Sequence, residues 1–406
     1  MKRLGLALGM SVAAAALAAS PALAQFKTQG VTDTEIVLGT HMDLSGPIKS
    51  WGIPASNGAK LAVEQINAAG GINGRKIRYI LEDDAYDPKK AVLATQKLIE
   101  LDKVFSIISP MGSATTLAPL PIVQAAGITN LFSITAAEFT YAMDPKKPED
   151  RLKFNIFSPY YDQARTGIKY LIETKKPKKA CIVFQDDEMG KNFTDAFKDQ
   201  LKAMNIPEGT MVSFKRGATD FSSQVARLKA DGCDFVSLGS VVRESVGILT
   251  VAAKSDYKPI WVAFSPTYVP DVVDLGKELA EGIYGVGQLE IFYEDTATGK
   301  VKQYIEDYKK LFGVAPNLQT TAGYNGMMAF AHFAKQCGKG LTTDCLIDKM
   351  ETGEAFQDIF GQAPVKFSKT NHLGSEELLI AQVQNGRWVT VWPKNWTPAG
   401  TKLVAE

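Results

Sequence analysis

Histidines, cysteines and paired carboxylates are the side chains that most often carry catalysis or hold a metal. The chain has three histidines, His41, His332 and His372. They lie far apart, none at the spacing of a metal-ligand motif, so surface or packing roles suit them. Asp83-Asp84, Asp186-Asp187-Glu188 and Glu376-Glu377 are runs of acids. Paired carboxylates do acid–base work when their surroundings drive their pKa values apart, but neighbouring acids on loops are more often simply solvated. The chain lacks a G-x-S-x-G elbow, a G-x-x-x-x-G-K-S/T cradle and a G-x-G-x-x-G run after a strand. No nucleophile, metal set or phosphate site emerges and no cofactor is expected. A binding protein fits these residues better than an enzyme.

The chemistry that is left is recognition. Ser113-Ala114-Thr115-Thr116 stands before a helical run. Its hydroxyls and free backbone N–H groups would suit an anion such as a carboxylate. Thr135-Ala136-Ala137 follows an apolar run and offers a second hydroxyl. Ordinary helix capping explains the same residues, because serine and threonine are favoured N-caps.

The elements that would position these groups alternate. Strand-like runs at 35–38, 76–81, 105–108 and 129–133 are separated by helical patterns at 55–69, 88–100 and near 117–125. The order restarts after residue 150. Helices at 161–173, 192–203, 221–230 and 245–254 alternate with strands at 180–184, 211–214, 235–238 and 260–263. Short apolar strands bounded by helices mark buried parallel sheets. The expected fold is therefore α/β, with two doubly wound parallel-sheet lobes. Further helices are expected at 302–312 and 320–336. A hairpin is expected from 378–383 and 388–391, turning at Asn385-Gly386.

Met1-Lys2-Arg3, an apolar run to Ala19 and the Ala22-Leu23-Ala24 exit read as a cleavable export signal over residues 1–24. The mature part would then work in the periplasm. The net charge of +1 becomes −1 once Lys2 and Arg3 are removed (1 − 2 = −1), which points to no nucleic-acid partner. Cys337 and Cys345 are close enough in sequence for a local bridge. Cys181 and Cys233 each open an apolar segment; a second bridge and two buried free thiols fit them equally.

One longer pattern joins these pieces. It runs Leu44-Ser45-Gly46-Pro47, then Ile66-Asn67-Ala68-Ala69-Gly70-Gly71-Ile72-Asn73-Gly74, then Asp83-Asp84-Ala85-Tyr86-Asp87-Pro88. It continues through Gly112-Ser113-Ala114-Thr115-Thr116, Gln185-Asp186-Asp187 and Thr219-Asp220-Phe221. In this order it resembles the leucine/isoleucine/valine-binding proteins, the type I periplasmic binding proteins of branched-chain amino acid ABC transporters. The resemblance covers essentially the whole mature chain. It implies two lobes joined by three hinge crossings, expected near 155–158, 285–288 and 358–361. The lobes would be 25–156 plus 287–359 and 157–286 plus 360–406. It also implies a cleft that closes on its ligand, a monomer, and an inner-membrane permease as partner.

Residue by residue, the resemblance assigns the ligand carboxylate to Ser113 and Thr135, an aromatic cover to Trp51 and second-lobe walls to Met189 and Val241. Amino-acid binders of this family hold the ligand ammonium with an acid after the strand matching 260–263. Here that segment is Phe264-Ser265-Pro266-Thr267-Tyr268, without an acid. A buried ammonium lacking a carboxylate partner is strongly disfavoured. An aromatic or apolar organic acid is therefore expected over a plain α-amino acid. The expected contacts are Trp51, Ser113, Ala114, Thr115, Ile134, Thr135, Met189, Val241, Arg243, Ser265 and Tyr268. For Arg243 an ion pair with Glu244 competes with ligand contact. A sensor subunit of a membrane receptor, or a binder of a short amide or urea, is the alternative.

Overall fold

The computed structural model describes residues 28–392. The expected export signal, and Trp396 beyond the hairpin, lie outside the described residues. The first sheet holds β1 (Glu35–Met42), β2 (Lys76–Asp83), β3 (Ser106–Ile108), β4 (Thr129–Leu131) and β5 (Lys153–Phe154). Their order is β2-β1-β3-β4-β5, with every pairing parallel. Beyond its first residue β1 is wholly buried, whereas edge strand β2 mixes exposed and buried positions. That difference is what covering a parallel sheet on both faces produces.

The second sheet holds β6 (Ala180–Gln185), β7 (Met211–Phe214), β8 (Phe235–Gly239), β9 (Ile260–Ala263), β10 (Tyr284–Gly287), β11 (Leu379–Gln384) and β12 (Arg387–Trp392). Its order is β12-β11-β10-β9-β8-β6-β7. Strands β6 to β10 run parallel, and the expected hairpin adds β11 and β12 antiparallel. Asn385 (φ 54°) and Gly386 (φ 72°) both take the left-handed conformation its turn requires.

Helices α1 (Lys49–Ala68), α2 (Pro88–Glu100), α3 (Ser113–Leu117) and α4 (Leu120–Ala125) belong to the first α/β run. Helices α5 (Tyr160–Lys175), α6 (Glu188–Ala203), α7 (Ser222–Ala230), α8 (Val242–Lys254) and α9 (Pro270–Gly276) belong to the second. Then come α10 (Gly299–Phe312), α11 (Leu318–Gln336) and α12 (Thr343–Thr352). Several boundaries differ from the sequence reading: β1 runs on to Met42, and α6, α8 and α10 each start three or four residues earlier than expected, while α9 and α12 were not expected. Helix α1 starts well before residue 55, because Gly52 and Pro54 mask its first turns. The helix expected near 117–125 is two short ones, since Pro119 has no N–H with which to continue the ladder.

The sheets communicate through three passages. Asn155, just past β5, bridges Leu373 and accepts from Gly374 N–H at 2.7 Å. Gln288, just past β10, accepts from Ser158 N–H and donates to the Ile156 carbonyl. Phe360 and Phe367, at and beyond the expected third crossing, still pack against Phe292, Tyr304, Phe132 and Phe154 of the first lobe. The chain reaches the second sheet only at β11. Both disulfides are formed: Cys181–Cys233, with Cα atoms 5.9 Å apart, and Cys337–Cys345, at 6.0 Å.

Candidate ligand-binding site

The loops leaving the strand ends of the first sheet turn sharply. Ala85 and Tyr86 follow β2, Ser109 follows β3 and Phe132 follows β4, all with positive φ. Non-glycine residues adopt that conformation only when their surroundings hold them in it. The acids do much of the holding. Asp83 accepts from the Leu44 and Ala85 N–H groups, both at 2.9 Å. Asp84 accepts from Tyr86 N–H at 2.8 Å and lies 2.8 Å from His41 Nδ1, all within the buried interior. Asp187 caps α6 by accepting from Met189 and Gly190 N–H. Of these acids, read from sequence as solvated runs, Asp84 is buried, Asp187 half-buried and Asp83 exposed, and all three brace loops.

The histidines also have structural partners. His332 Nε2 is 2.8 Å from the Glu354 carbonyl. His372 stacks 3.6 Å from Phe154 and contacts the Lys153 carbonyl. Its burial holds its pKa below the ordinary value.

Between the two sheets these loops enclose a cavity of about 90 Å³. Of the expected residues, Trp51, Ser113, Ile134, Thr135, Met189, Val241, Ser265 and Tyr268 line it. The Ser113 and Thr135 hydroxyls hydrogen-bond each other at 2.7 Å. Asn155 donates to the Thr135 carbonyl at 2.7 Å and fixes that residue from behind. The Tyr160 phenol faces the same pair, and burial pushes its pKa up. The Trp51 indole N–H donates to the Pro266 carbonyl at 3.1 Å, so the ring spans from one lobe to the other. Tyr268 lies flat along β10. A Cβ at Gly287 would fall 2.3 Å from its ring, and one at Gly285 2.7 Å from it.

Three expected residues do not reach the cavity. The Thr115 hydroxyl turns back to the carbonyls of Met111 and Gly112. Ala114 sits beside it on the five-residue α3, outside the lining. Arg243 pairs with Glu244 at a half-exposed position.

The sequence reading missed Tyr86, Tyr160, Phe157, Thr321 and Gln362, all in the lining. Tyr86 stands out among them. Gln185 donates to its hydroxyl at 3.3 Å, and the Arg216 guanidinium lies 4.7 Å from its ring centroid. Arg216 also pairs with Asp187 at 3.2 Å. Tyr86 stood in one of the quoted motifs, and that was the only signal for it. Among the described residues, none in the lining is Asp, Glu, Lys, Arg or His. Such a site offers hydroxyls, amides and apolar walls, and an ammonium ion would find no counter-charge there.

Comparison with known proteins places this geometry in a family. A homologue of Leu/Ile/Val-binding proteins from Brucella melitensis is 27% identical over 410 residues, covering 97% of this chain and 95% of that one. A branched chain amino acid ABC transporter protein from Thermus thermophilus, solved with bound valine, superposes with a TM-score of 0.79. It is 17% identical, and the match covers 91% of this chain and 98% of that one. A solute binding protein of an ABC transporter from R. palustris, solved in complex with benzoate, gives a TM-score of 0.76 at 18% identity, over 88% and 96% of the two chains. Residues 35–387 match the family model described as periplasmic binding protein. With that match spanning both sheets and the cavity between them, the chain belongs to the periplasmic binding protein family, alongside homologues of the Leu/Ile/Val-binding proteins.

Proposed function

We propose that this protein captures a small carboxylate, an aromatic or apolar organic acid in preference to a plain α-amino acid, and delivers it to an inner-membrane ABC permease. One observation carries the reading: hydroxyls of Ser113, Thr135 and Tyr160 converge in a cavity whose lining has no charged side chain. Neutral donors can hold a carboxylate, and hydrogen bonds to charged groups are the stronger kind. Trp51, Met189, Ile134 and Val241 supply apolar walls, and ring stacking adds up to ~1.5 kcal/mol beyond burial. The benzoate- and valine-bound relatives of the same fold make both ligand classes natural first candidates.

The export signal and the family favour a periplasmic monomer. We divide the lobes near residues 156 and 287, and place the third passage at 373–378, where the Leu373 bridge meets Asn155. The uncharged lining also suits a short amide or urea. A thermal-shift screen followed by calorimetry separates these. At 100 times its Kd a ligand should add ~2.7 kcal/mol of stability. Stabilisation by benzoate-type acids and none by valine supports the reading. Stabilisation by amides alone sinks the carboxylate part.

A further inference from the structure

The cavity lining carries polar side chains that the carboxylate reading leaves unused, among them Ser265, Tyr268, Thr321 and Gln362. Gln362 is 8% exposed. Its backbone is engaged: the N–H donates to Asp358 Oδ1 at 3.1 Å and the carbonyl accepts from Gln357 Nε2 at 2.7 Å. Its side-chain amide makes no hydrogen bond to any other described residue. Gln288, the other lining glutamine, differs, because both ends of its amide are fixed to hinge backbone at Ser158 and Ile156. The polar atoms of the Gln362 amide are not fully sealed from solvent, so they stand open to the cleft, where a ligand would meet them. The same lining includes the apolar residues Phe157, Leu289, Leu318 and Ala322.

We infer that Gln362 is a specificity-determining residue, reading a second, uncharged polar group on the cargo, so that the preferred ligand is a hydroxy- or oxo-substituted aromatic acid. The amide carries two donors and one acceptor, so a hydroxyl, ketone or ether oxygen can satisfy it. A second charge on the ligand is disfavoured, since it would be buried with no counter-ion in the lining. The inference rests on the proposed capture of an organic acid and narrows its class.

The test is calorimetry on the mature protein with benzoate and its ortho-, meta- and para-hydroxy and acetyl derivatives. Matching uncharged phenols and benzamides are run in parallel. Wild type should bind at least one substituted acid about 10-fold more tightly than benzoate, a gain of about 1.4 kcal/mol. Gln362→Leu should erase that ratio while binding benzoate as well as before or better. Gln362→Met serves as a second variant, and melting of both without ligand checks that they fold. Equal affinity across the wild-type series, or a preference that survives Gln362→Leu, overturns the inference. If all acids are silent but phenols or benzamides bind through Gln362, the carboxylate reading falls while the role of Gln362 stands. If nothing in either series binds, both fall.

Discussion

Ser113 and Thr135 come from different loops, 22 residues apart, yet their hydroxyls meet at 2.7 Å. There they satisfy each other. A carboxylate would take both as donors, at about 1.5–3 kcal/mol for a hydrogen bond to a charged group. Ser113→Ala and Thr135→Val should therefore each weaken acid binding roughly 10- to 100-fold in calorimetry. Unchanged affinity in a normally folded variant would remove the pair from the anion site. Asp162, in the first turn of α5, makes a separate prediction. Burial, then the nearby Glu376 and Glu138 carboxylates, push its pKa up to about 6 against partial relief from Arg165. An acid whose folded pKa is raised resists ionisation in the native state. Its drag on stability is absent below about pH 4, grows as pH rises through 6, and is complete above that. Asp162→Asn should thus melt with wild type at pH 4 and above it at pH 8, and a difference independent of pH would refute the assignment. At this scale the sequence was legible where a motif marked a strand end, as at Ser113 and Thr135. It was silent at Gln362, which reaches the cavity from a loop with no periodicity or motif, and misleading at Arg243, whose neighbour Glu244 neutralises it.

Helices α1 and α11 are far apart in sequence but share a reciprocal notch. A Cβ at Gly58 would lie 1.9 Å from the Thr320 carbonyl oxygen, and one at Gly323 would lie 2.0 Å from that of Ala55. Backbone meets backbone there, so no side chain can rotate away. Trp51 rides on α1, and Thr321 and Ala322 ride on α11, all in the cavity lining. Gly58→Ala should destabilise the fold by about 1–3 kcal/mol as the helices separate, and it should weaken ligand binding as well. A lowered melting temperature with intact affinity would show that the notch does not position the site. The disulfides act on a similar scale. Cys181 sits in β6 and Cys233 just before its neighbour β8, 52 positions apart in sequence, against 8 for Cys337 and Cys345. By loop-closure entropy the longer bridge is worth about 4 kcal/mol and the shorter about 2.5. A Cys181→Ala/Cys233→Ala double variant should melt below its Cys337→Ala/Cys345→Ala counterpart. Most elements were legible, because buried parallel strands are short apolar runs flanked by amphipathic helices. The early start of α1 was not, since Gly52 and Pro54 look like breakers when the packing of Gly52 against the Asp43 carbonyl is unknown.

As a whole molecule, the lobes meet through a shared apolar cluster, in which Met111, Ile134 and Ala136 join Met189, Phe193 and Val241, and through polar contacts beside it. Trp51 reaches the Pro266 carbonyl, and Gln319 of α11 donates to Asp271 of α9 at 2.6 Å. Glu138 N–H donates to Asn192 at 3.3 Å. Arg216 lies over the Tyr86 ring, donates to the Tyr86 carbonyl at 3.4 Å, and pairs with Asp187. A ligand shifts a closing equilibrium only by its differential affinity for the two states. Arg216 ties the lobes through both the ring and the carbonyl of Tyr86. A cation–π contact is worth about 0.5–2 kcal/mol depending on desolvation, and Tyr86 is itself a wall of the cavity. Arg216→Gln should therefore weaken ligand binding by roughly 10-fold. The loss should appear mainly as faster release, because a latch acts after the ligand has entered. Small-angle scattering should show the unliganded variant at least as open as wild type, with saturating ligand still compacting it. A slower association rate with unchanged release would place Arg216 in ligand entry instead. No change in either rate would mean that the remaining interlobe contacts and the ligand suffice to close the cleft.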